Sequence, residues 1–295
     1  MMKREEIYKK LAEYKRVLEE KGYNVIYIGL YGSQNYNVDD EHSDIDAKAI
    51  ILPSLHDVIF RRVTSRVVEL ESGAIDVKDL ITYYDVIRKG NFSYIEAMDT
   101  EYFIGDKYIK ELFKQIRPNL KSILGAMHEK KKALTHEYPS KHGEFEKWGF
   151  DPKQYHHIIR LHDMLQHINK TGDFVSYLKY DDGYMANHMI SLKRNSYDYS
   201  KEYVEKWSEA YIDASKALIP EDYVYEPADL QEEINKYIED KLKTELLKNN
   251  DVVSAREIRT FDNGIPKKDL EKFPVLAQYD GQDISYIVYE SIEIL

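Results

Sequence analysis

The amino-acid sequence predicts an α+β protein, with strands in the first third of the chain and helices through the middle. Apolar runs over Val25–Leu30 and Ala47–Leu52 have the length and composition of buried strands. Apolar residues then recur at helical spacing through most of residues 119–247. Near the C-terminus, an Asp-Gly pair at 280–281 separates two alternating runs, which is typical of a β-hairpin.

Shorter patterns predict the remaining elements. Residues 2–21 form an amphipathic helix in which Ile7, Leu11 and Tyr14 recur at helical spacing, and Gly22 ends it. A Ser-Gly turn joins two further strands, 66–71 and 74–78. The other predicted helices are 79–89, 91–98, 107–116, 119–136, 152–171, 184–193, 200–218 and 226–247, with a loop over 138–149 and strand-like tail segments over 252–261, 273–279 and 284–289.

Length, charge and composition restrict the class of protein. A chain of 295 residues can form two domains with a sizeable core. Its net charge of −11 argues against broad electrostatic binding to nucleic acid, and the absence of cysteine excludes disulfides and thiolate metal sites. The N-terminus lacks the pattern of a signal peptide and no apolar run reaches the length of a membrane span, so we expect a cytoplasmic protein without membrane contact.

Residues 31–46, which join the first two strands, carry the side chains best suited to chemistry. Gly32 allows the backbone to approach a ligand closely, and Ser33 with nearby N–H groups can bind phosphate oxygens. Asp44 and Asp46 are two residues apart, so alternation predicts that they share one face. Their mutual repulsion would be relieved by an oxygen-preferring divalent cation. The alternative is an acidic surface turn after a core strand.

The ordered set of Gly32-Ser33, Tyr36 and Ser43-Asp44-Ile45-Asp46 resembles the DNA polymerase beta nucleotidyltransferase superfamily, and within it the bacterial and phage group of predicted nucleotidyltransferases. The resemblance covers roughly residues 20–247 and implies a mixed-sheet nucleotidyltransferase core followed by a helical domain. One position departs from the pattern, since Asn37 stands where the group usually has Gly. Asn tolerates the left-handed region better than most residues, so the turn can survive.

The resemblance also implies an activity and its ligands. A nucleoside monophosphate would be transferred from an NTP such as ATP to an acceptor hydroxyl, with release of pyrophosphate. Two ions of Mg²⁺ or Mn²⁺ would align the attacking oxygen and offset charge on the leaving group. The residues implied for metal binding and catalysis are Asp44, Asp46 and Asp76, and those implied for nucleotide binding are Gly32, Ser33 and Tyr36.

Asp76 is the candidate for the third carboxylate. It lies between Ile75 and Val77 in a predicted strand, so alternation turns it to the opposite face from both. A third carboxylate can complete a two-metal site and help to remove the proton from the attacking hydroxyl. The alternative is an exposed hairpin position, with Asp79 and Asp85 as nearby competitors for the role.

A second motif opens a helix that Asp151 caps and Pro152 begins. His157 and Arg160 share a face of this helix and match the His-Leu-Ile-Arg-Leu motif of the group's helical domain. They would line the nucleotide or acceptor pocket, or belong to a buried network of His, Arg and carboxylate side chains. A metal site of four histidines is less favoured because no Cys or spaced Glu cluster accompanies them; these are His156, His157, His162 and His167.

We therefore expect a nucleotidyltransferase core over residues 1–117, a helical domain over 118–248 and a tail with a β-hairpin over 249–295. The acceptor stays open between RNA or tRNA, a protein side chain and a small molecule, and the acidic net charge favours the last two. A different class of function is a non-catalytic nucleotide-binding regulator or an antitoxin-like partner protein.

Overall fold

The computed structural model describes residues 4–41, 43–70, 73–138, 142–248, 275–280 and 283–288. Within it the chain divides into two units, residues 1–230 and 231–295. The larger unit has the predicted α+β class, a mixed sheet accompanied by helices. The predicted domain boundaries after residues 117 and 248 stay predictions.

Five strands form the sheet of the larger unit in the order β3-β4-β2-β1-β5. β2 and β4 are parallel, and the other neighbouring strands are antiparallel, so the sheet is mixed as expected. The predicted pair around the Ser-Gly turn is confirmed as β3 and β4. The strands are β1 Val25–Tyr31, β2 Asp46–Ile51, β3 Ser65–Leu70, β4 Gly73–Asp79 and β5 Phe103–Gly105.

The helices of the larger unit follow the predicted order. Their bounds are α1 Arg4–Glu20, α2 Leu55–Ile59, α3 Leu80–Ile87, α4 Phe92–Asp99, α5 Lys107–Phe113, α6 Leu120–Leu134, α7 His142–Trp148, α8 Pro152–Thr171, α9 Gly183–Lys193 and α10 Lys201–Ala217. None of the helices in the described part of the chain combines the length and the apolar composition that crossing a membrane requires.

Two helices differ from the sequence-based expectation. The loop predicted over 138–149 is wrong at α7, a short helix whose Trp148 packs on a buried cluster that includes Phe150 and Tyr155. This tertiary contact, rather than a helical pattern, stabilises so short a segment. α2 was not predicted; a capping box between Ser54 and Asp57 begins it.

The smaller unit contains α11 Gln231–Lys248 and two strands, β6 Val275–Asp280 and β7 Asp283–Val288. The helix begins five residues later than the predicted start at Glu226. β6 and β7 pair in antiparallel register, which confirms the predicted hairpin. The predicted segment over 252–261 and the Gly at 281 lie outside the described residues.

Helix α1 covers one face of the sheet, as its amphipathic pattern predicts. Its buried residues Ile7, Leu11, Tyr14 and Leu18 join the apolar core of the sheet. On β2, Ala47, Ala49 and Ile51 belong to this core, so alternation turns Asp46, Lys48 and the buried Ile50 to the opposite face.

Helix α4 approaches the sheet unusually closely at Gly29 of β1. A Cβ atom at this position would lie 2.0 Å from the carbonyl oxygen of Ala97, so only glycine permits the approach. The Tyr27 hydroxyl donates to the same oxygen at 2.8 Å. These contacts hold the preceding residue of the helix, Glu96, beside the turn that follows β1.

Candidate functional site

The turn after β1 has the backbone that its glycine predicts. Gly32 has φ 104° and ψ −156°, a region that L-residues rarely adopt, and one turn of 3-10 helix follows over Ser33–Tyr36. Asn37 ends this turn in the left-handed conformation, with φ 61°. Its amide nitrogen donates to Asp181 Oδ1 at 2.9 Å. The turn therefore tolerates Asn at this position, as the sequence predicts.

A buried carboxylate, Glu96, holds this turn in place. Its Oε1 accepts from the Gly32 N–H at 2.6 Å and from Asn35 Nδ2 at 3.0 Å, and its Oε2 accepts from the Tyr36 hydroxyl. Burial raises the pKa of Glu96, against the opposing effects of Arg160 and of these donors. Glu96 is a candidate functional residue that the sequence motifs do not include, although an acidic residue among the apolar residues of α4 is a signal for it.

Of the two neighbouring acidic residues, only Asp46 lies in the strand. β2 begins there, while Asp44 precedes it in an exposed loop position whose carbonyl accepts from Gln34 Nε2 at 2.7 Å. Burial raises the pKa of Asp46, Lys153 lowers it and Asp44 raises it again. The Asp44 charge therefore disfavours the ionised form of Asp46, and their joint role in metal binding stays a prediction.

The glycine turn and the carboxylate pair lie side by side. A Cβ atom on Gly32 would stand 3.3 Å from Asp46 Oδ2. The register of the antiparallel pair places Tyr31 directly opposite Asp46, so the turn follows at once. A ligand that approaches the bare backbone at Gly32 thus meets the Asp46 carboxylate.

Asp76 has a different environment from that pair. In the parallel register of β2 and β4 it lies opposite Lys48. Its carboxylate is 3.2 Å from Lys48 Nζ and 3.3 Å from Lys78 Nζ, and it accepts from the Tyr94 hydroxyl. Burial raises the pKa of Asp76, but Tyr94 and the two lysines more than offset this effect, so its pKa lies below the ordinary value.

Asp76 is surrounded by two ammonium groups and a hydroxyl, and its assignment as a third metal ligand stays a prediction. The described residues contain no group of three His, Asp or Glu side chains that could hold a metal ion. Lys48 lies on the same face of β2 as Asp46, and its ammonium group is 4.2 Å from the Tyr31 ring centroid and 4.1 Å from that of Tyr94. A buried ammonium group therefore occupies the place beside Asp76 where a cation would be expected.

Two of the four histidines of α8 form hydrogen bonds with the neighbouring helices α9 and α10. His156 Nδ1 is 3.0 Å from the Met189 carbonyl, and His162 Nδ1 is 2.8 Å from Ser215 Oγ. His157 and Arg160 lie on the side of the helix near Tyr36, whose ring centroid is 3.9 Å from the guanidinium carbon. Arg160 is thus linked through Tyr36 to Glu96 and to the glycine turn.

We expect Glu96→Ala to lower the free energy of unfolding by about 3 kcal/mol. The substitution leaves the Gly32 N–H, the Asn35 amide and the Tyr36 hydroxyl without their buried acceptor. Glu96→Gln restores an acceptor and should recover much of this loss. Urea denaturation of the three proteins measures the difference, with Glu111→Ala, an exposed carboxylate on α5, as the control.

The pH dependence of the same proteins tests the charge of Glu96. An acid with a raised pKa in the folded state binds more protons there, so its contribution to stability falls as pH rises above the ordinary Glu value of 4.5. The Gln variant lacks this decline. Identical pH profiles for wild type and Glu96→Gln would contradict a buried, titrating carboxylate.

Comparison with known proteins finds similarity to solved structures. No family model and no curated protein matches the chain. The chain is similar to a nucleotidyltransferase-like protein from Exiguobacterium sibiricum 255-15, with 12% identity and a TM-score of 0.22 over 91% of this chain and 94% of that one. A likeness at this identity and TM-score carries no argument about activity.

Proposed function

We propose that this protein is a nucleotidyltransferase that moves a nucleoside monophosphate from an NTP to an acceptor hydroxyl. The observation that carries the proposal is the bare backbone of Gly32 beside the Asp46 carboxylate. A phosphate chain can lie against a glycine backbone that has no side chain, with the Ser33 hydroxyl as a donor. The buried Glu96 keeps this turn in one conformation before any ligand binds.

Under the proposal, Asp44 and Asp46 would hold Mg²⁺ or Mn²⁺. Such ions are commonly bound by one or two carboxylates plus substrate phosphates, so the pair suffices without Asp76. When bound, the ion offsets negative charge on the departing pyrophosphate. Burial and the neighbouring Asp44 raise the pKa of Asp46, which means that both disfavour its ionised form. A bound cation would stabilise that ionised form.

Lysines from the helices face the same carboxylate. Lys153 of α8 and Lys193 of α9 both act electrostatically on Asp46. Lys193 Nζ also donates to Ser43 Oγ at 2.9 Å, which holds the loop before β2. Under the proposal, these two ammonium groups offset part of the triphosphate charge. Asp76 is given no role as a base, because its lowered pKa makes it a poor proton acceptor.

Label transfer tests the proposal. The protein is incubated with each NTP labelled at the α-phosphate, with Mg²⁺ or Mn²⁺, against separate pools of RNA, protein and small metabolites. We expect one pool to become labelled, with release of pyrophosphate. If no NTP yields label or pyrophosphate with any pool, the proposed activity is wrong.

One observation favours the alternative of a nucleotide-binding regulator or antitoxin-like partner without catalysis. The carboxylate that the family resemblance assigns to the third metal-binding position is paired with Lys48 and Lys78 instead. That alternative predicts NTP binding without turnover, together with one dominant protein in a pulldown from the native source.

A further inference from the structure

Three side chains along one face of α8 are basic or imidazole groups. Lys153, His157 and Arg160 are separated by four and three residues, so they follow one side of the helix. Helix α6 packs against α8 and contributes Lys130. Burial lowers the pKa of Lys130, and Arg160 and Lys153 lower it further, so the positive charges lie close together.

Arg160 has hydrogen-bond donors that the protein does not satisfy. Its side chain is 4% exposed, and its Nε and Nη1 atoms are buried without a partner among the described residues. His157 Nδ1 is in the same condition. A buried donor without an acceptor is costly, and natural proteins seldom retain several at one place unless a ligand pairs with them.

The nearby acidic groups accept hydrogen bonds from other donors. Asp163, on which Arg160 acts electrostatically, accepts from the Tyr180 hydroxyl at 2.8 Å. The Glu96 oxygens accept from Gly32, Asn35 and Tyr36, and Glu96 acts on Arg160 only through its charge. Asp151 acts on Lys130 but accepts from the Lys153 N–H and the Gln154 amide as the helix cap.

Stacking on Tyr36 prepares the guanidinium for a planar ligand contact. The 3.9 Å separation between the guanidinium carbon and the ring centroid covers one face of the group, so its N–H donors point outward from its edge. Oxyanions are recognised along this edge. The positive charges of Lys130, Lys153 and Arg160 favour a phosphoryl group over a carboxylate, because the phosphoryl group carries more negative charge.

We propose that Lys130, Lys153, His157 and Arg160 form a binding site for a phosphoryl group. Arg160 donates through its guanidinium, His157 donates in the tautomer that carries its proton on Nδ1, and the lysines offset the charge of the anion. Arg160 stacks on Tyr36, Tyr36 and Gly32 both donate to Glu96, and Gly32 lies beside Asp46, so the site adjoins the carboxylate pair. The binding itself is independent of the proposed activity. The further statement that the phosphoryl group belongs to the NTP or to the acceptor rests on the proposed function.

Titration calorimetry with inorganic phosphate, in buffer without divalent ions, tests the site. We expect Arg160→Gln to weaken phosphate binding by about tenfold or more, and Arg160→Lys to weaken it less because the charge remains. The matched control is Arg16→Gln, an exposed arginine on α1 paired with Glu20. It should bind phosphate as the wild type does.

Lys153→Gln protects the test against misfolding, because Lys153 is exposed and its substitution should leave the melting temperature unchanged. We expect this variant also to bind phosphate several-fold more weakly. If the wild type does not bind phosphate, or if Lys153→Gln and Arg160→Lys both bind as tightly as the wild type, the proposed site is wrong.

A non-hydrolysable NTP identifies the owner of the phosphoryl group. Competition with inorganic phosphate assigns the site to the NTP, and simultaneous binding assigns it to the acceptor; either result supports the site. Phosphate binding that follows the variants without any NTP turnover would support the site and contradict the proposed activity. If the protein turns over an NTP but no variant changes phosphate binding, the proposed activity is supported and the proposed phosphoryl site is contradicted.

Discussion

The double substitution Asp44→Asn with Asp46→Asn is expected to abolish nucleotidyl transfer while the fold stays intact. The loss should reach about 10³-fold or more, because under the proposed function the pair would supply the charge that holds the catalytic cation. At neutral pH the stability should be unchanged or slightly higher. The pKa of Asp46 is raised in the folded state by burial, so its ionised form destabilises the protein increasingly as pH rises above 3.8, and Asn removes that effect.

Label transfer and thermal unfolding of the same preparation separate the two effects. Asp213→Asn on the exposed side of α10 is the matched control and should change neither measurement. A double variant that melts well below the wild type would show that Asp44 and Asp46 are structural, and the loss of transfer could then not be assigned to chemistry.

Asp76→Asn, unlike the double substitution, is expected to destabilise the fold. It should lower the free energy of unfolding by about 3 kcal/mol. The substitution leaves the ammonium groups of Lys48 and Lys78, whose side chains are 6% and 10% exposed, without their counter-ion. Urea denaturation measures the change, and Glu69→Gln, an exposed position on the neighbouring β3, is the control.

The pH dependence of Asp76→Asn follows from the lysine it leaves behind. Burial already lowers the pKa of Lys48, and loss of Asp76 lowers it further. A base whose pKa is lowered in the folded state destabilises the protein most at a pH where the unfolded chain carries the charge. The loss of stability in Asp76→Asn is therefore largest near neutral pH and shrinks as pH rises towards 10.5. A variant with full stability but no activity would instead return Asp76 to the catalytic carboxylates.

Local patterns in the sequence were sufficient for the elements that hold the site. An apolar run followed by Gly-Ser predicts a strand and a turn, and Asn37 could be expected to take the left-handed conformation that it adopts. Asp151 and Pro152 predict the start of α8 because a cap and a fixed φ act within one helical turn. The predicted tail hairpin is likewise observed in β6 and β7.

Neighbour relations were decided only by the tertiary structure. Alternation turns Asp76 away from the core, but the parallel pairing of β2 with β4 decides that it meets Lys48. The sequence places Glu96 in a helix, but the approach of that helix at Gly29 makes it the acceptor for Gly32. Side-chain period is a property of one segment, whereas strand order and helix docking join segments far apart in the chain. The sequence by itself therefore determined the local elements on which the candidate residues lie, and the packing of distant segments decided which charges each of them faces.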